Sequence, residues 1–183
     1  MKDTGQFRVR SRELLLHLEF LDVTTRTIAS PNGATFERIV IEHPGAVAVV
    51  PLVGDSVALI RQYRAAASDT ILEIPAGKLD RDGEDREDAA RRELAEETGY
   101  LAGSLTHLTD LWTSIGVSDE RICIFCTDDL QPGTPAPIGP EENAAEVILM
   151  PFDEALDQVS NGTISDAKTV VGLLFVARNR ATS

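Results

Sequence analysis

The sequence is poor in several residue types, and each shortage excludes a class of protein. Two cysteines in 183 residues cannot supply the several disulfides of a small secreted scaffold. Aromatic residues make up only 5% of the chain, and no apolar run reaches the length of a membrane helix. The 13 glycines and 9 prolines fit neither collagen nor low-complexity disorder. Because a chain this long can bury roughly 70% of its unfolded surface, we expect a soluble, cytoplasmic globular protein without a signal peptide.

Positive charge is scarce as well. Lys and Arg number 17 against 30 Asp and Glu, which gives a formal net charge of −13. Such a chain repels nucleic acid and anionic membranes at long range, so we expect neither as a partner. A protein this acidic that handles phosphates needs another source of positive charge, and a divalent cation is the obvious candidate.

The two cysteines, Cys123 and Cys126, form a C-x-x-C pair, a spacing also found in redox pairs and zinc sites. The sequence RICIFC at residues 121–126 is apolar and β-branched, which predicts a buried strand. No second cysteine pair exists, and the three histidines are isolated along the chain. We therefore interpret both cysteines as core residues.

Apolar periodicity predicts a chain made mostly of strands, with one helix in the middle and two near the end. Strands are predicted within residues 7–30 and over 35–41, 45–52, 56–63, 71–74, 105–112, 121–127 and 145–150. Residues 128–143, rich in Pro and Gly, predict a loop. The two late helices cover 152–159 and 167–178, and the second carries Val170, Val171, Leu174 and Phe175 on one face. This order of elements predicts an α+β fold or an α/β/α sandwich and excludes a doubly wound βαβ repeat.

The central helix, predicted over residues 85–98, carries the most informative pattern. Acidic residues crowd its start, and Gly99 follows its last residue, as expected for helix ends. Glu93 and Glu97 are four residues apart and share one face, with Glu96 beside them. Three carboxylates within one turn repel one another, so a cation bound by oxygen ligands, such as Mg²⁺, Mn²⁺ or Ca²⁺, would explain the arrangement. The alternative is an acidic helix face that is merely solvated.

The wider pattern, which runs from Gly77 through Glu84 to the sequence RELAEETGY at residues 92–100, resembles the Nudix box of the Nudix hydrolases. The loop between Gly77 and Glu84 is one residue longer than usual, and an insertion in a loop is cheap. Segments outside the box are similar to the ADP-ribose pyrophosphatase branch of the family: 45–51, 61–64, 73–77, 116–120 and 141–147. Together they cover roughly residues 20–175.

The resemblance implies a fold and an activity. The fold is a Nudix α/β/α sandwich with a mixed sheet and the Nudix loop–helix over residues 43–183. An N-terminal antiparallel sheet region over residues 1–42 crosses to the partner of a homodimer. The activity is Mg²⁺-dependent cleavage of a nucleoside diphosphate sugar, ADP-ribose to AMP and ribose 5-phosphate, with Mn²⁺ as a possible substitute for Mg²⁺.

The resemblance also assigns roles to residues. It implies metal ligands at Glu93, Glu96, Glu97 and the Ala76 carbonyl, although a salt bridge to Arg92 is the alternative for Glu96. Glu93 and Glu97 are thus catalytic through the metal, and Glu142 is the expected general base, with Glu141 and Glu120 as rivals. Substrate contacts are expected at Arg38, Arg64 and Glu120. Phe20, Phe36 and Trp112 are open candidates for stacking on adenine.

One departure concerns the substrate. Members that act on ADP-ribose commonly have a proline just before the glycine of the segment at 116–120, and here that position is Ile115. The open alternatives are another ADP-sugar, GDP-mannose, a dinucleotide or a damaged nucleoside triphosphate. A non-catalytic sensor of an ADP-ribose-like ligand is a further alternative, but such proteins usually lose glutamates of the box, and this chain keeps them all.

Overall fold

The computed structural model describes residues 6–81, 83–138 and 140–182. Its packing divides the chain into two compact units. The first unit comprises Met1–Gly45 and Trp112–Arg121, and the second comprises Ala46–Leu111 and Ile122–Ser183. In the part of the chain so described, no helix is both long enough and apolar enough to cross a membrane.

The first unit is a three-stranded antiparallel sheet in the order β1 (Arg8–His17), β2 (Asp22–Ala29) and β3 (Thr35–Glu42). A turn joins β2 to β3, and Gly33 there has a φ of +87°, a value that favours glycine. The strands predicted within residues 7–30 and over 35–41 are confirmed. Ile41 also pairs with Ser118, which attaches the segment 112–121 to this sheet.

The second unit contains a seven-stranded mixed sheet. Its central path runs in the order β12 (Glu146–Pro151), β5 (Ser56–Arg64), β4 (Ala46–Val53), β10 (Arg121–Thr127) and β9 (Thr106–Trp112). Two short strands complete it, because β6 (Asp69–Glu73) pairs with β5 and β7 (Ala76–Lys78) pairs with β4. Strands β4 and β10 are parallel, and β12 and β5 are antiparallel.

Helices cover both faces of this sheet. Val47 and Val49 of β4 pack on α1 (Arg86–Thr98), while Ala48 and Val50 face a second core. That second core includes side chains of α3 (Phe152–Ser160) and α4 (Ala167–Arg180). The alternation follows the period of two of a strand, and it explains why residues 46–50 of β4 are uniformly apolar. The predicted α/β/α sandwich is confirmed.

The structure departs from the predicted elements in short segments. The predicted loop 128–143 contains a strand, β11 (Leu130–Pro132), and a four-residue helix, α2 (Pro140–Asn143). Strand β11 pairs with another short strand that the sequence did not indicate, β8 (Tyr100–Ala102). Three-residue strands such as these and β7 are too short to show a periodicity.

The buried face of α4 also differs from the prediction. Leu174 and Phe175 are 50% and 37% exposed, whereas Thr169 and Leu173 are fully buried. Gly172 lies so close to β4 that a Cβ there would be 2.8 Å from Cγ2 of Val50. Thr169 accepts burial because its hydroxyl receives the backbone N–H of Ile74 at 2.9 Å, which satisfies the polar group.

Candidate active site

Helix α1 is fixed at both ends and along its apolar face. The Asp85 side chain accepts the N–H of Glu87 at 2.8 Å, and Gly99 ends the helix with a φ of +75°, as predicted. Ala89, Ala90 and Leu94 are fully buried against the sheet. This burial fixes the rotation of the helix, so the glutamates at positions 93 and 97 have a defined direction.

The Glu93 and Glu97 carboxylates lie against β7. Oε2 of Glu97 accepts the backbone N–H of Ala76 at 2.9 Å. A Cβ added to Gly77 would be 1.8 Å from the carboxyl carbon of Glu93, so the Glu93 carboxylate occupies space that any other residue at position 77 would fill. This contact explains why glycine is needed there although its φ is ordinary.

A single arginine connects three acidic residues of the box. Arg92 forms two bonds of 2.8 Å to Glu84 through Nε and Nη2. Its Nη1 donates to Glu93 at 2.6 Å and to Glu96 at 3.1 Å. Glu96 also receives Arg81 Nη2 at 3.3 Å. The salt bridge considered as the alternative role of Glu96 is therefore present.

Burial dominates the electrostatics of the two facing glutamates. It raises the pKa of Glu97 to about 8, and the charges of Glu93 and Glu142 act in the same direction. Burial likewise raises the pKa of Glu93, against the opposing bond from Arg92. A buried carboxylate pair of this kind is costly to ionise without a cation, so the pair is poised to exchange a proton for one.

Glu142 lies on α2, and its charge is felt at Glu97. Its Oε2 accepts the backbone N–H of Ile138 at 2.6 Å. The segment that leads to α2 is attached to the end of α1, because Ala136 N–H donates to the Glu96 carbonyl at 2.9 Å. The structure thus brings together Glu93, Glu97 and Glu142, which the sequence places up to 49 positions apart.

Arg64 is held at the same site by a buried acid. Glu73 accepts its Nε at 2.5 Å and its Nη2 at 2.9 Å, and also receives the ammonium of Lys168. Burial acts to raise the pKa of Glu73, but Arg64 and Lys168 outweigh it and hold that pKa below its ordinary value. The Glu97 charge also acts on Arg64. The sequence offered no sign of Lys168, because it lies 95 positions from Glu73.

The remaining predicted substrate contacts, Arg38 and Glu120, belong to the first unit. The Arg38 guanidinium lies 4.5 Å from the centre of the Phe36 ring. Glu120 accepts the Thr113 hydroxyl at 2.5 Å, and its Oε1 is 3.7 Å from His43 Nε2. Both residues are thus described within that unit alone.

The donor set at α1 fits a hard divalent cation. Carboxylates are the ligands that Mg²⁺ and similar ions prefer. Glu93 and Glu97 are two such groups, both with raised pKa values and packed against the Ala76–Gly77 backbone. A bound cation would supply the positive charge that stabilises both ionised groups.

The structure also groups residues that the sequence left apart. His107, Asp110 and Cys123 each place one potential ligand atom within 4.8 Å of the others. The interpretation of the histidines as isolated is therefore wrong for His107. The signal was absent from the sequence because β9 and β10 bring these residues together only in the folded sheet.

Comparisons with known proteins agree with this geometry. The model of the NUDIX domain matches residues 42–170. An ADP-ribose pyrophosphatase of Bacillus subtilis (strain 168) is 34% identical over 93% of this chain and 92% of its own length. A methanol dehydrogenase activator of Bacillus methanolicus is 37% identical over 82% of each chain. A crystal structure of an ADP compounds hydrolase shares the fold, with a TM-score of 0.84, 24% identity, and coverage of 100% of this chain and 98% of the other.

The chain belongs to the NUDIX family, and it carries the glutamates of the box on a helix that buries its opposite face. It is a Nudix pyrophosphohydrolase, and the predicted resemblance to the ADP-ribose pyrophosphatase branch is confirmed.

The raised pKa of Glu97 predicts a pH effect on the metal-free protein. Between the ordinary glutamate value, about 4.5, and about 8, folded Glu97 keeps a proton that the unfolded chain releases. The free energy of unfolding should therefore fall as pH rises through this window. Glu97→Gln removes the titrating group, so the variant should gain stability over the wild type as pH rises from 5 to 8. Thermal unfolding with a chelator present measures the difference.

The control for this experiment is Glu141→Gln, which replaces an exposed carboxylate of α2. It should change the stability equally at pH 5 and pH 8. A constant difference between the wild type and Glu97→Gln across the window would show that burial does not control this carboxyl.

Proposed function

We propose that this protein hydrolyses ADP-ribose to AMP and ribose 5-phosphate with Mg²⁺, for which Mn²⁺ can substitute. The observation that carries the proposal is the buried pair Glu93 and Glu97, packed on Ala76 and Gly77 with the charge of Glu142 acting on it. Similarity to an ADP-ribose pyrophosphatase over nearly the whole chain supports the choice of substrate. The reaction consumes one water and breaks one P–O bond of the diphosphate.

Glu93 and Glu97 would hold the metal, together with the Ala76 carbonyl, and Glu96 would complete the set. When bound, a divalent cation polarises phosphoryl oxygens and lowers the pKa of water. Arg92 positions this set, because it donates to Glu93 and Glu96 at once. The two arginines on Glu96 make it the ligand of the set whose ion pairs must change most on metal binding.

Glu142 is our candidate for the general base. Its Oε2 is fixed by the Ile138 N–H, which leaves the second carboxylate oxygen to accept the proton of the attacking water. Its neighbours in the protein are acidic, since its charge acts on Glu97, and negative surroundings favour proton uptake by a carboxylate. Glu141, which is exposed on the same short helix, is the weaker candidate.

Arginines would neutralise the diphosphate. Arg64 keeps its geometry through two bonds to Glu73, and Nη1 is the nitrogen that these bonds leave for a phosphate oxygen. A guanidinium fixed in this way loses little entropy on binding. Arg38 and Glu120 remain proposed substrate contacts, on the resemblance that predicted them.

Ile115 bears on the substrate alone. Its side chain is 76% exposed, so packing in a core does not explain the isoleucine at this position. It can alter which group is accepted beyond the diphosphate without changing the acidic site on α1. Another ADP-sugar, GDP-mannose, a dinucleotide or a damaged nucleoside triphosphate is the alternative substrate, and a ligand sensor is the alternative function.

A substrate panel tests the proposed activity. ADP-ribose, ADP-glucose, GDP-mannose, NADH, diadenosine polyphosphates and 8-oxo-dGTP are incubated with the protein, with and without Mg²⁺, and the products are separated. We expect AMP from ADP-ribose, at the highest kcat/KM of the panel and only with metal. A higher value for another compound would reassign the substrate, and no turnover of any compound would favour a sensor.

The assignment of the base is tested by a matched pair of variants on α2. Glu142→Gln should lower kcat by about 10²- to 10⁴-fold, the usual contribution of a general base, with little change in metal affinity. Glu141→Gln, its neighbour, should retain the wild-type kcat. The opposite pattern would move the role to Glu141, and full activity of both variants would direct attention to Glu120.

We also propose that the protein is a homodimer formed through the first unit, the sheet region predicted as residues 1–42. All ten residues of β1 are exposed, and they include Val9, Leu14, Leu15 and Leu16, each at least 49% exposed. Thr24 and Ala29 are the buried residues among those described in this sheet. A sheet with so small a core and so much exposed apolar surface is typical of an interface, and a second copy of the same chain would bury it.

Light scattering after gel filtration tests this interface. The wild type should have twice the 19.8 kDa mass of one chain. Charges at two exposed positions of β1, Leu14→Asp with Leu16→Asp, should yield the monomer, whereas Leu174→Asp on the exposed side of α4 should remain dimeric. A monomeric wild type would contradict the proposal.

A further inference from the structure

A second group of potential metal ligands lies outside the Nudix box, on two strands of the mixed sheet. Nε2 of His107 is 3.1 Å from Oδ1 of Asp110 on β9. The thiol of Cys123 on β10 interacts with the same carboxylate. The three potential ligand atoms lie within 4.8 Å of one another. They offer one nitrogen, one oxygen and one sulfur.

This grouping requires an irregular strand. Residues three apart on a regular strand point to opposite faces, yet His107 and Asp110 contact each other. Leu108 and Leu111, also three apart, both pack on the other core. Strand β9 therefore departs from a regular period between these residues, and the departure is what brings the imidazole and the carboxylate to one point. Irregularities of this kind re-aim side chains near sites.

We propose that His107, Asp110 and Cys123 form a Zn²⁺ site that is distinct from the acidic site on α1. Zinc binds His, Asp and Cys side chains at about 2.0–2.3 Å. Tetrahedral ligands at those lengths are roughly 3.3–3.8 Å apart, so the present atoms need only small side-chain movements. Mg²⁺ and Ca²⁺ prefer oxygen ligands alone, which favours a borderline ion such as zinc here.

The surroundings of the three residues suit an ion that enters from solvent. The His107 side chain is 53% exposed, while Cys123 is buried at 4%. Oδ2 of Asp110 is 3.3 Å from Arg86 Nη1, so the carboxylate is oriented from behind while Oδ1 faces the other ligands. An outer partner of this kind tunes and orients a metal ligand. Binding would form a Zn–S bond and release the thiol proton to solvent, and a water would complete the fourth position.

Because Arg86 is the first residue of α1, the ion pair with Asp110 connects the proposed site to the helix that carries the Nudix glutamates. The competing interpretation is a hydrogen-bonded group without a metal, in which His107 and Cys123 simply satisfy Asp110. The two interpretations differ in whether sulfur bonds to a metal, and this can be observed directly.

The experiment uses Co²⁺ as a spectroscopic substitute for Zn²⁺, with the full chain and excess Mg²⁺ to occupy the oxygen site on α1. A thiolate bound to Co²⁺ gives a sulfur-to-metal charge-transfer band, which carboxylate ligands cannot give. We expect the band in the wild type, with one Co²⁺ per chain, and its loss when Zn²⁺ is added. Glu97→Gln should keep it, which separates this site from the Nudix site.

Three variants decide the ligands. Cys123→Ser should abolish the band, and Cys126→Ser, its matched control on the same strand, should retain it. His107→Ala replaces an exposed side chain and leaves the core intact, so it tests the site even if Cys123→Ser fails to fold. We expect Co²⁺ affinity in this variant to fall at least about tenfold, the smallest loss usual even for outer partners. A wild type without the band, or a band that survives Cys123→Ser or His107→Ala, would overturn the proposal.

Discussion

Repulsion among carboxylates is the constraint on which this molecule depends. Two like charges 4 Å apart repel by about 4 kcal/mol near a protein surface, and α1 presents three glutamates within one turn. Arg92 offsets part of this repulsion by donating to Glu84, Glu93 and Glu96 together. Glu97 has no such donor at close range apart from the Ala76 N–H, and its pKa rises accordingly. The residual imbalance is what makes the helix face receptive to a cation.

The same principle appears a second time in the sheet, with the opposite outcome. Glu73 is nearly as buried as a core residue, yet Arg64 and Lys168 keep it ionised. The pair ties β5 and β6 to α4, and the Thr169 hydroxyl adds a bond to Ile74 beside it. One buried acid is thus fully compensated and serves to hold an arginine, whereas the pair on α1 is left undercompensated. The difference between a structural and a reactive carboxylate here is the number of cations within reach.

Sequence patterns predicted the parts that local rules determine. Helix α1 was predictable because Asp85 and Gly99 mark its ends and its apolar residues repeat at helical spacing. Strands β7, β8 and β11 were not, because their pairing partners, rather than their own residues, define them. The buried face of α4 was mispredicted because periodicity follows hydrophobicity, and burial of Thr169 depends on a hydrogen bond to Ile74. The grouping of His107 with Cys123 depends on strand pairing and an irregular strand, which no linear pattern records.

The end of α1 also has a consequence for how this enzyme can change. The Gly99 carbonyl accepts the Gly133 N–H at 2.7 Å, and a side chain at position 99 would meet Pro135 within 2.7 Å. The helix with the acidic pair and the chain leading to Glu142 are therefore joined at this point. Substitutions in the last turn of α1 will be epistatic with substitutions around Glu142, because both alter a single distance. Evolution can retune the two acidic elements only together, while Ile115 and its neighbours in the first unit remain free to diverge.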